Sequence, residues 1–164
     1  MDICFDGKVC DGVGRFSKEI KIPSPIKELS NLGNWPATLV PGTFNVQVPA
    51  SGWPEVEGLD FRSRGVRCLD RANNFPPACY LDYAVVPNNT LNPTNKGEYG
   101  GDLQFWRAIL QVGDVGESVY CYMLRRVKSG YMDRIELVAD IHIRNTYKLA
   151  NGHPIKLTIY TGAS

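Results

Sequence analysis

A chain of 164 residues fits one domain and can bury a core without disulfide or metal support. Its 18 Lys plus Arg against 17 Asp plus Glu leave a formal net charge of +1, which argues against nucleic acid, an acidic tail or a membrane surface as partner. Five cysteines at irregular spacing, with no Cys-x-x-Cys pair, argue against a zinc site, and no segment approaches ~18 consecutive apolar residues. Met1-Asp2-Ile3-Cys4 carries no basic region ahead of an apolar run, so a soluble, cytoplasmic protein is expected, with Cys10 and Cys121 as buried small hydrophobes.

Residues 3–10 read as a first strand that runs into Asp11-Gly12-Val13-Gly14-Arg15. Closely spaced glycines let backbone N–H groups cradle phosphate oxygens, with Arg15 as a charged fork; the same pattern also makes a tight hairpin into a second strand at 16–22. Ser24 as cap, Pro25 in the first turn and Gly33 at the stop predict a short helix. Pro41-Gly42 then marks a turn, and Phe44, Val46 and Val48 alternate with Thr43, Asn45 and Gln47 in the period of a half-buried strand. The apolar set faces the core. Thr43 and Asn45 share the opposite face, either as ordinary solvent-facing residues or as a hydroxyl and an amide carbonyl offered to a hard cation or a phosphate.

Residues 49–101 are interrupted by Gly and Pro and read as a long irregular insertion, a binding loop, a lid or a mobile segment, with one strand at 78–86. Strands return at 103–112 and at 119–124, the latter apolar on both faces and so central. It ends in Arg125-Arg126-Val127-Lys128, read as a solvated strand end with anion binding as the alternative. Residues 135–139 form a strand in which Glu136 faces away from Ile135 and Leu137. Asp140 caps a short helix at 141–147, Asn151-Gly152 turns the chain, and 155–160 close it as a strand, with His142 and His153 at the surface. Seven or eight short strands, one or two small helices and no βαβ rhythm predict a mainly β single domain over 1–164, a small β-barrel with Greek-key connections.

In order and spacing these features resemble the archaeal CTP-dependent riboflavin kinases, a family with a compact six-stranded cradle-loop barrel. The resemblance runs over most of the chain. Gly7-Lys8-Val9 leads to Gly12-Val13-Gly14-Arg15, and Val40-Pro41-Gly42-Thr43-Phe44-Asn45-Val46 is similar to the family's Pro-x-Gly-Thr-Leu-Asn signature. Ile135-Glu136-Leu137-Val138-Ala139, Ile143-Arg144, Leu149-Ala150-Asn151-Gly152 and Ile155-Lys156-Leu157 follow in the family's order. The resemblance implies that Thr43 and Asn45 hold Mg²⁺ against the nucleotide phosphates and that Gly12, Val13, Gly14 and Arg15 wrap those phosphates. It further implies that Ile141, His142, Ile143 and Arg144 lie against the cytidine, and that Glu136, with Lys128, serves the flavin side and the catalytic step. The implied reaction takes CTP and riboflavin to CDP and FMN. The chain departs from the pattern in lacking a third glycine before Arg15, in having Lys128-Ser129-Gly130-Tyr131 in place of a Thr-His or Thr-Tyr pair, and in placing Asp140 where a proline is usual. The shortened loop and long insertion leave a second expectation open, a non-catalytic module on the same barrel that binds a small ligand or a protein. The near-neutral charge argues against a DNA-binding relative.

Overall fold

The computed structural model describes residues 1–12, 24–40, 42–81, 103–112, 116–127 and 129–162. The strand expected at 16–22, most of the one at 78–86, and the candidate residues Val13, Gly14, Arg15 and Lys128 lie outside the described residues.

Nine strands are described: β1 Asp2–Cys10, β2 Ser24–Pro25, β3 Thr38–Leu39, β4 Phe44–Gln47, β5 Cys79–Leu81, β6 Leu103–Gln111, β7 Ser118–Arg126, β8 Arg134–Val138 and β9 Pro154–Tyr160. Six of them close an antiparallel barrel in the order β6-β7-β8-β4-β1-β9, sealed by pairing of β6 with β9. β5 adds to the first residues of β6 as an extra strand. β6, β7 and β8 form a meander and β9 returns beside β6, which is a Greek key. Period two sets the inner face. Along β1 the exposed and buried residues alternate, and Ile3, Phe5 and Val9 point inward to meet Val46, Trp106, Leu110, Met123 and Leu157.

The described part of the 49–101 segment is not an irregular loop. Phe61–Arg64 forms helix α1, which continues as a 3-10 turn over Gly65–Leu69. Asp60 starts the helix by accepting a hydrogen bond from Ser63 N at 3.1 Å. Phe61 packs edge-on to Phe5 and stacks on Trp53, and Leu69 and Phe75 are fully buried in the inner core. This segment reaches the barrel where Met132 O accepts from Val66 N at 2.8 Å, at the end of β4 away from Thr43. It completes the core instead of covering a cradle. A helical segment this short carries no readable 3.6-residue period, and its flanking Gly and Pro look like loop punctuation.

The expected helix after Ser24 is also corrected. Ser24 and Pro25 pair as β2 with Leu39 and Thr38 of β3, and a single 3-10 turn remains at Lys27–Leu29. The reason is tertiary. Ile26, Leu29 and Leu39 form a second cluster with Phe105, Tyr122, Leu124 and Val138 on the outer face of β6, β7 and β8. Trp35 Nε1 donates to Ala108 O at 2.8 Å and the Tyr122 hydroxyl donates to Pro36 O at 2.7 Å, which pins the cover down. β7 is apolar on both faces because residues 24–40 cover it.

The basic end of β7 is not solvated at Arg125, which is 4 % exposed. Its guanidinium grips Asp70 at 2.7 and 3.1 Å and donates to the carbonyls of Tyr131 and Ser129 at 2.7 and 2.8 Å. Gln104 Nε2 adds a bond of 3.0 Å to Asp70. This knot ties the 50–75 segment to the β7–β8 connection. Asp140 does not cap the following helix either: helix α2 spans Ile143–Thr146, and His142 is its N-cap residue without a side-chain cap bond. Among the described residues no helix is long and apolar enough to cross a membrane, and all five cysteines are free.

Candidate functional site

Gly42, at φ +95°, turns the chain into β4 with Thr43 just ahead of the strand. Phe44 and Val46 point into the barrel, so Asn45 points outward, as the alternation predicts. Register places it in a row with neighbours on both sides: Cys10 of β1 and Glu136 of β8 are its direct cross-strand partners. Outward does not mean exposed here. Asn45 is only 6 % accessible, because the chain leaving β1 lies over it. A Cβ on Gly12 would stand 2.3 Å from Asn45 Nδ2 and 2.9 Å from its Oδ1, so only glycine lets the backbone cross the amide at this height.

The amide is half satisfied. Asn45 Nδ2 donates to Thr43 Oγ1 at 3.1 Å and Thr43 O at 3.3 Å, while Oδ1 is buried without a hydrogen-bond partner. The orientation follows from the partners: a backbone carbonyl accepts only, so the NH₂ group must face it. A buried carbonyl oxygen left unpaired is costly and requires a reason. Its surroundings supply one. Asn45 lines a cleft of about 190 Å³ with Gly12, Val40, Gly42, Thr43, Ile141, His142, Arg144 and Asn145; Phe44, Leu137, Ala139 and Ile143 border it too, although their side chains belong to the inner core. Cys10 completes the lining, and burial pushes its thiol above the ordinary value.

Among the described residues no carboxylate belongs to the lining, whereas a guanidinium does. Arg144 Nη1 donates to Asp11 Oδ1 at 3.0 Å, and Asn151 Nδ2 donates to the other carboxylate oxygen at 3.0 Å. The Asn151 bond, then the Arg144 bond, hold the Asp11 carboxyl below the usual carboxylate range. The cleft therefore suits an anion. Its volume is below the ~300 Å³ of a pocket that encloses a whole small-molecule ligand, so it holds one portion of a ligand, such as a phosphate group.

The fold thus gathers Gly12, Thr43, Asn45, Ile141, His142, Ile143 and Arg144 from three separate stretches of sequence into one cleft. Glu136 stands beside Asn45 in the register, half-buried, but outside the cleft's lining. Among the described residues no three His, Cys, Asp or Glu side chains converge as a metal site. Of the oxygens that could serve Mg²⁺, Thr43 Oγ1 accepts from Asn45 Nδ2, and Asn45 Oδ1 is buried on the other arm of the amide; Mg²⁺ would complete its shell with water and substrate phosphates. Sequence reasoning missed Asp11, Asn145 and Asn151 and took Cys10 as core. Period two along 3–10 does place Cys10 on the outward face with Lys8, the face that Asn45 shares. No family model and no curated protein matches this chain.

Proposed function

We propose that this protein is a riboflavin-kinase-like phosphotransferase, moving the γ-phosphoryl group of CTP or another nucleoside triphosphate to the terminal hydroxyl of riboflavin to give FMN. One observation supports the reading: Asn45, whose buried Oδ1 has no hydrogen-bond partner, lines a cleft together with Thr43, Gly12 and Arg144, four residues the family resemblance assigns to nucleotide and metal. Mg²⁺, when bound, neutralises phosphate charge and polarises the group that is transferred. The chain's own residues bind and orient. Arg144 offers a charged fork to phosphate oxygens, and Thr43 and Asn45 offer oxygens to the cation. In the transfer the riboflavin hydroxyl oxygen bonds to the γ-phosphorus, the bond from that phosphorus to the β–γ bridging oxygen breaks, and the nucleoside diphosphate leaves. Glu136, beside Asn45 across β4 and β8, is the candidate to take the hydroxyl proton, with Lys128 on the flavin side. Five free cysteines suit the reducing cytoplasm, the setting proposed here.

A second reading, ligand binding without transfer, is favoured by the position of Glu136 outside the lining of the cleft. Incubation with riboflavin, Mg²⁺ and CTP or ATP separates the two. FMN formation that Asn45→Ala abolishes supports the kinase. Riboflavin or nucleotide binding without FMN supports the binding module, and absence of both refutes the assignment of the cleft.

A further inference from the structure

The Asp11–Arg144 pair is too exposed to matter for the fold: the two side chains are 74 % and 39 % accessible. Its placement gives it another use. Asp11 immediately precedes Gly12, which is fixed against the Asn45 amide, and its second oxygen is held by Asn151 on the turn before β9. The carboxylate is therefore anchored from two sides, and it holds one nitrogen of a guanidinium that lines the cleft. Arg144 Nε and Nη2 have no hydrogen-bond partner among the described residues. We propose that Asp11 is a positioning residue for anion binding: it holds Arg144 beside the cleft with the rest of its planar fork ready for a phosphate. This inference rests on the proposed phosphate-binding role of the cleft.

Two physical effects of Asp11 oppose each other, and their sign can be measured. By charge alone, a carboxylate this close to the cleft repels an anion, so removing it strengthens binding. By preorganisation, a guanidinium already held loses little rotamer freedom when it captures the anion, so removing Asp11 weakens binding. The anchoring by Asn151 favours the second effect, because the carboxylate and its charge are screened by water while the geometry it imposes is not.

Calorimetric titration of the full chain with inorganic pyrophosphate, with Mg²⁺ present, tests the proposal. Asp11→Ala is expected to weaken pyrophosphate binding about two- to tenfold, the cost of immobilising one long side chain, without changing the melting temperature. Asp11→Glu, which keeps a carboxylate within reach, recovers part of the loss. In an Arg144→Ala background, Asp11→Ala has no further effect. Unchanged or tighter binding by Asp11→Ala overturns the proposal, as does an equal loss in both backgrounds. If the wild type binds no pyrophosphate, or Arg144→Ala binds as well as wild type, the phosphate-binding role of the cleft itself fails and the positioning role with it.

Discussion

Asn45 and Val46 are sequence neighbours on opposite faces of β4, and replacing each by alanine separates a residue proposed to serve a ligand from one that serves the fold. Val46 is fully buried in the inner core. Val46→Ala removes two methyl groups, ~0.8 kcal/mol each by transfer, and leaves a cavity that the barrel cannot collapse, for a total of about 2–3 kcal/mol. Asn45→Ala loses the bonds from Nδ2 to Thr43, worth about 1 kcal/mol net, and some strand propensity, worth up to ~1 kcal/mol. Against that, it removes the unpaired Oδ1, whose burial costs about 1–3 kcal/mol. Asn45 lines the cleft, so the space it vacates is expected to admit water instead of leaving a dry void. The net change is expected within about 1 kcal/mol of zero. For a domain of this size ~2–4 °C of melting temperature accompanies each kcal/mol, so Val46→Ala falls by roughly 4–12 °C while Asn45→Ala moves by a few degrees in either direction. Thermal unfolding gives the melting temperatures and urea unfolding the free energies, both followed by tryptophan fluorescence, and pyrophosphate titration of the same variants is expected to show the Mg²⁺-dependent affinity lost in Asn45→Ala alone. Equal destabilisation of the two variants, or an Asn45→Ala variant that binds like wild type, refutes the reasoning.

Gly12→Ala forces a Cβ to within 2.3 Å of Asn45 Nδ2, so the amide must leave Thr43; ligand affinity falls, and the overpacking costs about 1–3 kcal/mol in urea unfolding. Unaltered affinity would show that the amide orientation is immaterial. Asp70→Ala strands the buried Arg125 charge and is expected to cost about 3–5 kcal/mol, whereas Arg125→Met, which removes the charge and fills its space, costs less. The reverse order in equilibrium unfolding would contradict the knot's role. Burial raises the Cys10 thiol above its ordinary value, so the thiolate fraction, and with it maleimide labelling of Cys10 in a Cys4→Ser background, keeps rising as pH passes ~9. Cys79 and Cys68, pushed up to about 11 and about 12, label far more slowly. Mg²⁺ and pyrophosphate together slow the labelling of Cys10, read by mass spectrometry; an unchanged rate places the ligand elsewhere.

What could be read from the sequence was local. Alternation set the strand faces from 43 to 48 and the presence of a strand at 3–10, and the family resemblance named Gly12, Thr43, Asn45 and Arg144, which the fold brings to one cleft. What could not be read was what lies on top of a face. Period two sends Asn45 outward, and the same rule sends Tyr122 and Leu124 outward, yet all three are buried: Asn45 under Gly12, the others under residues 24–40. Arg125 looks solvated in a basic run because its partner, Asp70, lies 55 residues away in a segment whose helix is too short for its period to show. The burial of Asn45 is the more informative surprise. A polar residue beneath a glycine, with an oxygen that finds no donor, breaks the rule that buried polar groups are paired, and such breaks concentrate where function demands them. Arg107 Nε and His153 Nε2 break the same rule, but neither residue lines the cleft. Asn45 alone among these three combines an unmet acceptor with a place in the lining of the cleft, which is why the proposed function rests on it and not on the barrel, whose architecture serves many chemistries.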